Sequence, residues 1–214
     1  MGSGAIVYVV DDDASVRRSL RRLIESIGLT VQDFPGGPEF LGEISPNDPG
    51  CLVLDLRMPR MSGLELQQAL ADRHIELPII FMSAHGDIGT SVRAMKAGAV
   101  DFLEKPFSEQ HLLDTIQKAI QHDSQARAAR MRRDDALGHV ARLSSREREV
   151  LALVVAGKMN KEIALALGIT EVTVKVHRGH VMEKMGVDSL AELVVLAQLA
   201  GVVQPKYDTG AMNR

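Results

Sequence analysis

The sequence predicts an α/β domain, a doubly wound sheet of five parallel strands, followed by a smaller all-α domain of four helices. Three observations carry this expectation. Over roughly the first 123 residues, short β-branched runs alternate with amphipathic stretches, the pattern of βα units around a parallel sheet. From residue 141 onward the alternation stops and only helical periodicity remains. The charge changes as well: residues 1–123 carry 11 Lys and Arg against 18 Asp and Glu, residues 124–140 carry 4 against 2, and residues 141–214 carry 10 against 8. An acidic front and a mildly basic back suggest two domains with different partners, although so small an excess permits nucleic-acid binding without establishing it.

The strands follow in order at AIVYVV (5–10), LTVQDF (29–34), CLVLD (51–55), PIIFMS (78–83) and AVDFLEK (99–105). Helical stretches fall between them at 14–27, about 37–44, 63–73 and 87–97, with another after 107. Gly28, Gly50 and Gly98 lie at or just after element ends, where glycine suits a turn or C-cap. Leu112, Leu113, Ile116, Ala119 and Ile120 recur at helical spacing and pack the last helix of this domain. The stretch 124–140 is rich in Ala, Gln and Arg with little to bury, so it fits an exposed helix or a flexible tether.

Four helices are expected beyond it, in LSSREREVLALVVAG (143–157), NKEIALALGI (160–169), TEVTVKVHRGHVMEKMGV (170–187) and DSLAELVVLAQLAG (188–201). Ser144 with Glu147, and Ser189 with Glu192, stand at capping-box spacing, and Thr170 is a candidate N-cap. Gly168 breaks the second of these helices from the third, the helix-turn-helix signature in which the second helix enters the major groove.

Composition excludes several classes. The single cysteine, Cys51, rules out an internal disulfide and the usual multi-cysteine zinc sites, and within an apolar run it reads as a small buried hydrophobe. No apolar run approaches the roughly 20 residues of a membrane span. The opening MGSG has neither a charged leader nor an apolar core and reads as an expression scar. A cytoplasmic protein is therefore expected, with no membrane partner.

In a doubly wound sheet, ligands bind beyond the carboxyl ends of the strands at the topological switch point. Strand one ends in Asp11, Asp12 and Asp13, strand three in Asp55, strand four in Ser83, and strand five in Lys105 followed by Pro106. A strand order of 2-1-3-4-5 brings Asp11, Asp12 and Asp55 together. Crowded carboxylates repel one another unless a cation joins them, and hard oxygen donors with room for water suit magnesium. A lysine charge and a serine hydroxyl opposite complete a set fitted to phosphoryl transfer, with Asp55 as nucleophile. Asp13 reads as a helix cap.

VVDDD, LVLDLRMPRMSG, FMSA and FLEKPF, in this order and spacing, resemble the receiver domain of two-component response regulators over about residues 5–123. The resemblance implies a flavodoxin-like fold in which Asp55 takes a phosphoryl group from a sensor histidine kinase. It implies that Asp12, Asp55 and the backbone carbonyl of Arg57 hold magnesium, for which manganese could substitute, with Asp11 acting through water. Ser83 and Lys105 would contact the phosphoryl group, Phe102 would change rotamer with it, and Pro106 would follow a cis bond. Arg57 and His85 occupy positions that tune phosphate lifetime in the family.

In the third helix of the back half, Val174, His177, Val181 and Met185 form an inward stripe, which leaves Thr173, Val176, Gly179, His180 and Glu183 outward and Lys175 and Arg178 flanking. An outward valine suits a thymine methyl, and lysine and arginine suit phosphates or guanine edges. By faces alone, an ordinary amphipathic helix fits as well. LSSREREVL, NKEIA and TVKVHR together resemble the LuxR-type helix-turn-helix of the FixJ/NarL group of response regulators, over about residues 141–203. That likeness implies DNA contact through Thr173, Lys175, Val176, Arg178 and Gly179, with Lys161 and Lys184 as further phosphate contacts.

The expectation is a phosphorylation-switched transcription factor with a receiver at 5–123, a linker at 124–140, a DNA-binding domain at 141–203 and a tail at 204–214. Its partners would be a histidine kinase, double-stranded promoter DNA, a second copy of itself and RNA polymerase. It would be no enzyme beyond self-phosphorylation and slow autodephosphorylation. Two rivals remain: a constitutive DNA-binding regulator whose receiver is a dimerisation scaffold, and an aspartyl-phosphate phosphohydrolase. The second would present another acid two residues after the nucleophile, where this chain has Arg57.

Overall fold

The computed structural model describes residues 4–84 and 88–202, and the chain divides into two compact units, Met1–Arg127 and Ala128–Arg214. His85 and the tail at 204–214 lie outside the described residues. The first unit is a five-stranded parallel sheet of order β2-β1-β3-β4-β5, formed by β1 (Ile6–Val10), β2 (Thr30–Phe34), β3 (Gly50–Asp55), β4 (Ile79–Ser83) and β5 (Asp101–Glu104). Its helices are α1 (Ala14–Glu25), α2 (Gly37–Glu43), α3 (Gly63–Asp72), α4 (Ile88–Lys96) and the first part of α5 (Glu109–Ala141).

Both faces of the sheet are buried, and the period of two along each strand sorts the core into two layers. Val7, Val9, Cys51, Val53, Ile80 and Met82 face one side, where Leu20 and Ile24 of α1 and Leu112 and Ile116 of α5 cover them. Tyr8, Val10, Leu52, Leu54 and Phe81 face the other, against Phe40 of α2, Leu66 and Leu70 of α3, and Ala94 of α4. Burying each large side chain contributes roughly 1.5–3 kcal/mol. Two covered faces also explain why β3 reads as an unbroken apolar run.

Gly50 opens β3 rather than closing an earlier element, at φ +139°. A Cβ there would lie 1.8 Å from the carbonyl oxygen of Ile6, so only glycine lets β3 start beside β1. Cys51, next along the strand, is fully buried, and burial first and the nearby Asp123 second push its thiol up to about 12. A thiol protonated at neutral pH and out of reach is inert. Native protein should therefore take up no iodoacetamide over hours at pH 8, and one equivalent in denaturant, as read by intact mass. Rapid native labelling would show that β3 opens.

The second unit holds the end of α5 with α6 (Ser145–Val155), α7 (Asn160–Leu167), α8 (Glu171–Met185) and α9 (Leu190–Leu199) around Leu143, Val150, Leu151, Val154, Ile163, Val174, Val181, Met185, Leu193 and Ala197. The stretch 124–140 is helical, as part of α5. The expected capping box at α6 is reciprocal: Ser144 N–H donates to Glu147 Oε2 at 2.7 Å and Glu147 N–H to Ser144 Oγ at 3.3 Å. At α9 only half of the box forms. Glu192 N–H donates to Ser189 Oγ at 3.2 Å, but the Glu192 carboxylate accepts from Asp188 N–H, at 3.1 Å. Ser189 is more extended than Ser144, at φ −131° against −66°. Among the described residues, no helix is long and apolar enough to cross a membrane.

Candidate functional site: an acidic pocket and a helix-turn-helix

Parallel strands that end level with one another bring their last residues to one edge. Val10 pairs with Leu54, Asp55 with Met82, and Lys105 N–H donates to Ser83 O at 2.8 Å, so Asp11, Asp55, Ser83 and Lys105 share the carboxyl edge of the sheet. Lys105 Nζ stands 2.7 Å from Asp55 Oδ1 and 3.1 Å from Asp11 Oδ2, bridging two carboxylates that are 44 positions apart in the chain. Asp11 is 2% exposed and Asp55 8%. Asp13 N–H donates to the other Asp11 oxygen at 2.9 Å, and Arg57 N–H to Asp55 Oδ2 at 2.8 Å. Asp12 is exposed at the rim and Ser83 is buried at the end of β4.

The electrostatics are unbalanced. Two buried carboxylates, Asp11 and Asp55, share one ammonium, and Asp12 follows Asp11 as a further, exposed acid. Burial raises the Asp11 pKa, and the Asp13 N–H and Lys105 only partly offset it. Burial alone would lower the Lys105 pKa, but its bond to Asp55 and the charges of both carboxylates outweigh that and hold it above the usual lysine value. A pocket with surplus negative charge and oxygen-only donors fits a hard divalent cation. Among the described residues no three Asp, Glu, His or Cys side chains form a ready metal cluster. A site of two carboxylates, a backbone carbonyl and water needs no such trio.

Phe102, half-buried on β5, lies with its ring centre 6.4 Å from that of Phe81, and Lys105–Pro106 is a cis peptide. Two supports escaped the reading of the sequence. Arg17 donates from Nη1 to the carbonyls of Asp11 at 2.7 Å and Asp12 at 3.1 Å, and from Nε to Asp33 at 3.1 Å, which fixes the loop that carries the acids. Arg60, at φ +69°, reaches Glu39 of α2 at 2.6 Å and ties down the loop after Asp55. Asp13 caps α1 through Ser15 N–H at 2.7 Å.

In the second unit, Gly168 closes α7 at φ +64° and Thr170 caps α8 through Thr173 N–H at 3.2 Å, the geometry of a tight helix-turn-helix. Val174, Val181 and Met185 are buried, and His177 is half-buried with its Nδ1 enclosed and unpartnered. Lys175, Val176, Gly179, His180 and Glu183 are exposed, as is Lys161 on α7, while Thr173 is half-buried and its hydroxyl lies 2.9 Å from that of Thr170. Arg178 is half-buried and donates to Asn160 Oδ1 at 2.8 Å. Lys184 is engaged within the unit: its Nζ lies 2.7 and 2.9 Å from the two oxygens of Glu147. The resemblance implied Lys184 as a phosphate contact, and here a buried carboxylate on α6 competes for it.

Glu147 itself is 4% exposed, and Lys184 first, then the Ser144 N–H, hold its carboxyl down to about 2. A depressed acid contributes stability that is present above its unfolded pKa and lost as pH falls through the folded one. The thermal transition of the second unit should therefore fall as pH drops from 4.5 towards 2. In Glu147→Gln that slope should flatten, and equal slopes in both proteins would refute the linkage.

The comparisons with known proteins agree with this geometry. Residues 7–117 match the family described as response regulator receiver domain, and residues 141–197 match the bacterial regulatory proteins of the luxR family. Nodulation protein W of Bradyrhizobium diazoefficiens is 48% identical over 198 residues, covering 92% of this chain and 87% of the relative. The transcriptional regulatory protein FixJ of Azorhizobium caulinodans is 44% identical over 92% of this chain and 93% of its own length. The solved structure of response regulator StyR superposes with a TM-score of 0.84 at 50% identity, over 92% of this chain and 99% of that one. With a receiver at one end and a helix-turn-helix at the other, this chain belongs to the response regulators that join a receiver domain to a LuxR-family DNA-binding domain.

Proposed function

We propose that the chain is a phosphorylation-switched regulator of transcription in the cytoplasm, in which Asp55 is the phosphoacceptor. The observation that carries this reading is the Lys105 bridge between Asp55 and Asp11 at the carboxyl edge of the sheet. A carboxylate oxygen of Asp55 attacks the phosphorus carried by a histidine of a sensor kinase. The new O–P bond forms as the P–N bond breaks, and the histidine leaves with the electron pair. Phosphoryl transfer is catalysed chiefly by positioning and charge neutralisation. Lys105 supplies a fixed positive charge to a phosphoryl oxygen and Ser83 a hydroxyl donor. Asp12, Asp55 and the Arg57 carbonyl would hold magnesium or manganese, with Asp11 acting through water; when bound, the ion neutralises the pocket and the incoming phosphoryl oxygens.

Ser83 drawn towards the phosphoryl group, and Phe102 turning with it, bias a pre-existing equilibrium towards a dimer or a released DNA-binding unit. A dimer places two copies of α8 on two half-sites, with Thr173, Lys175, Val176, Arg178 and Gly179 at the bases and backbone and Lys161 at a phosphate. RNA polymerase is the next partner in such a scheme. Turnover is confined to self-phosphorylation and slow loss of the phosphoryl group. The test is incubation of the full chain with magnesium and phosphoramidate, followed by intact mass, light scattering and selection of bound DNA. One added phosphoryl group with dimer formation and tighter, sequence-selective binding is expected. A chain that selects the same DNA equally well without modification would favour the scaffold reading.

A further inference from the structure

The side chains expected to read DNA are not held alike. Lys175 and Val176 are exposed, with no partner among the described residues. Arg178 is instead half-buried and tethered: Nη1 donates to Oδ1 of Asn160, 18 positions earlier at the start of α7, at 2.8 Å. Among the described residues no carboxylate pairs with Arg178, so the tether leaves its full charge in place. Lys184 shows the contrast, its charge met by Glu147.

Asn160 is not needed to start its own helix. The cap position is Met159, whose N–H donates to Glu162 Oε2 at 2.8 Å, and Ile163 N–H continues to Met159 O at 3.0 Å. The amide is therefore spare for Arg178. A guanidinium has five N–H donors in a fixed fork, and a guanine edge takes two of them through O6 and N7, so one donor can be spent on Asn160 at no cost to the reading. An arginine free in solution loses rotamer entropy when it settles on a base, and one already tethered loses less. Next along α8, a Cβ at Gly179 would meet nothing within 4 Å, so no neighbouring group of the protein crowds this part of the helix surface.

We propose that Asn160 is a positioning residue for base recognition: it presents the free edge of Arg178 to a guanine and so sets the sequence preference without touching a base. The proposal rests on the reading of α8 as the DNA-contacting helix.

The experiment measures affinity of the phosphorylated full chain for its selected site and for every single-base change of it. The proteins compared are wild type, Asn160→Ala, Arg178→Ala and the double variant. Asn160→Ala should bind the selected site about 5–20-fold more weakly, with the loss concentrated as lost discrimination at one G·C pair. Thermal midpoint, non-specific affinity and salt slope should stay unchanged. In the Arg178→Ala background the same substitution should cost nothing further, because residues that act as one unit are not additive. Asn160→Asp keeps an acceptor in place, so it should retain the guanine preference at lower overall affinity. Additive losses, or unchanged discrimination in Asn160→Ala, would overturn the proposal. A wild-type chain with no sequence preference would instead overturn the DNA reading beneath it, and the two failures are told apart by the wild-type profile alone.

Discussion

Asp55→Asn should stay folded and take up no phosphoryl group from magnesium and phosphoramidate, while wild type gains one. The fold survives because the change is nearly isosteric. The carbonyl oxygen of the new amide can still accept from Lys105, which donates to Asp55 at 2.7 Å, or from Arg57 N–H, which donates at 2.8 Å. Chemistry does not survive, because an amide oxygen is a poor nucleophile and its buried neighbour Asp11 is not free to replace it. Asp11 is 2% exposed with both oxygens already engaged, by Asp13 N–H and by Lys105. Coupling between two sites in such switches is typically about 5–150-fold, and that whole increment in DNA affinity should vanish in the variant. Basal affinity should match that of unmodified wild type. An equal mass gain in Asp55→Asn would place the acceptor elsewhere. Loss of the mass gain with intact phosphodonor-dependent DNA binding would separate the switch from the modification.

Much of this was legible in the sequence because a doubly wound sheet leaves little freedom. Once the strands are placed, their carboxyl ends must meet, so Asp11, Asp55, Ser83 and Lys105 could be assembled from four separate runs. The order 2-1-3-4-5 observed in the structure makes that edge a switch point. Helix starts were legible for a local reason, since Ser144, Thr170 and Ser189 each cap within three residues. What escaped was non-local. Nothing in the order of residues shows that Arg17 holds the carbonyls of Asp11 and Asp12, that Arg60 reaches Glu39, or that Glu147 captures Lys184 from 37 positions away. Long flexible side chains choose partners by fold geometry, which carries no periodic signal. Gly50 was misplaced for the same reason: its constraint is the carbonyl of Ile6 on the neighbouring strand. The stretch 124–140 left helix and tether open because Ala, Gln and Arg suit both.

The same ion pair should give stability changes of opposite sign when cut from its two ends. Lys105→Ala leaves Asp11 and Asp55 at 2% and 8% exposure with no cation between them. Removing one partner of a fully buried pair costs about 3–5 kcal/mol. The lysine here is 25% exposed, so water recovers part of that and about 2 kcal/mol is expected, a fall of roughly 5–10 °C in Tm. Asp11→Asn removes instead the charge that burial penalises. Because burial raises the Asp11 pKa, whatever the protonated side chain contributes is present below the ordinary value of 3.8 and lost as pH rises through the raised one. At neutral pH the ionised form is thus a cost, and the amide in its place should raise Tm. Lys105 keeps Asp55 at 2.7 Å in that variant, so it is not orphaned. Both variants should phosphorylate at least about 100-fold more slowly, one for want of the ammonium and the other for want of the acid that attracts the divalent ion. Added magnesium should restore much of the Tm lost in Lys105→Ala and do little for Asp11→Asn. Melting curves at pH 7 with and without magnesium decide it. A lower Tm in Asp11→Asn would mean that the pocket's carboxylates are already satisfied by protein groups alone, and the surplus charge could then no longer account for a divalent ion at the end of β3.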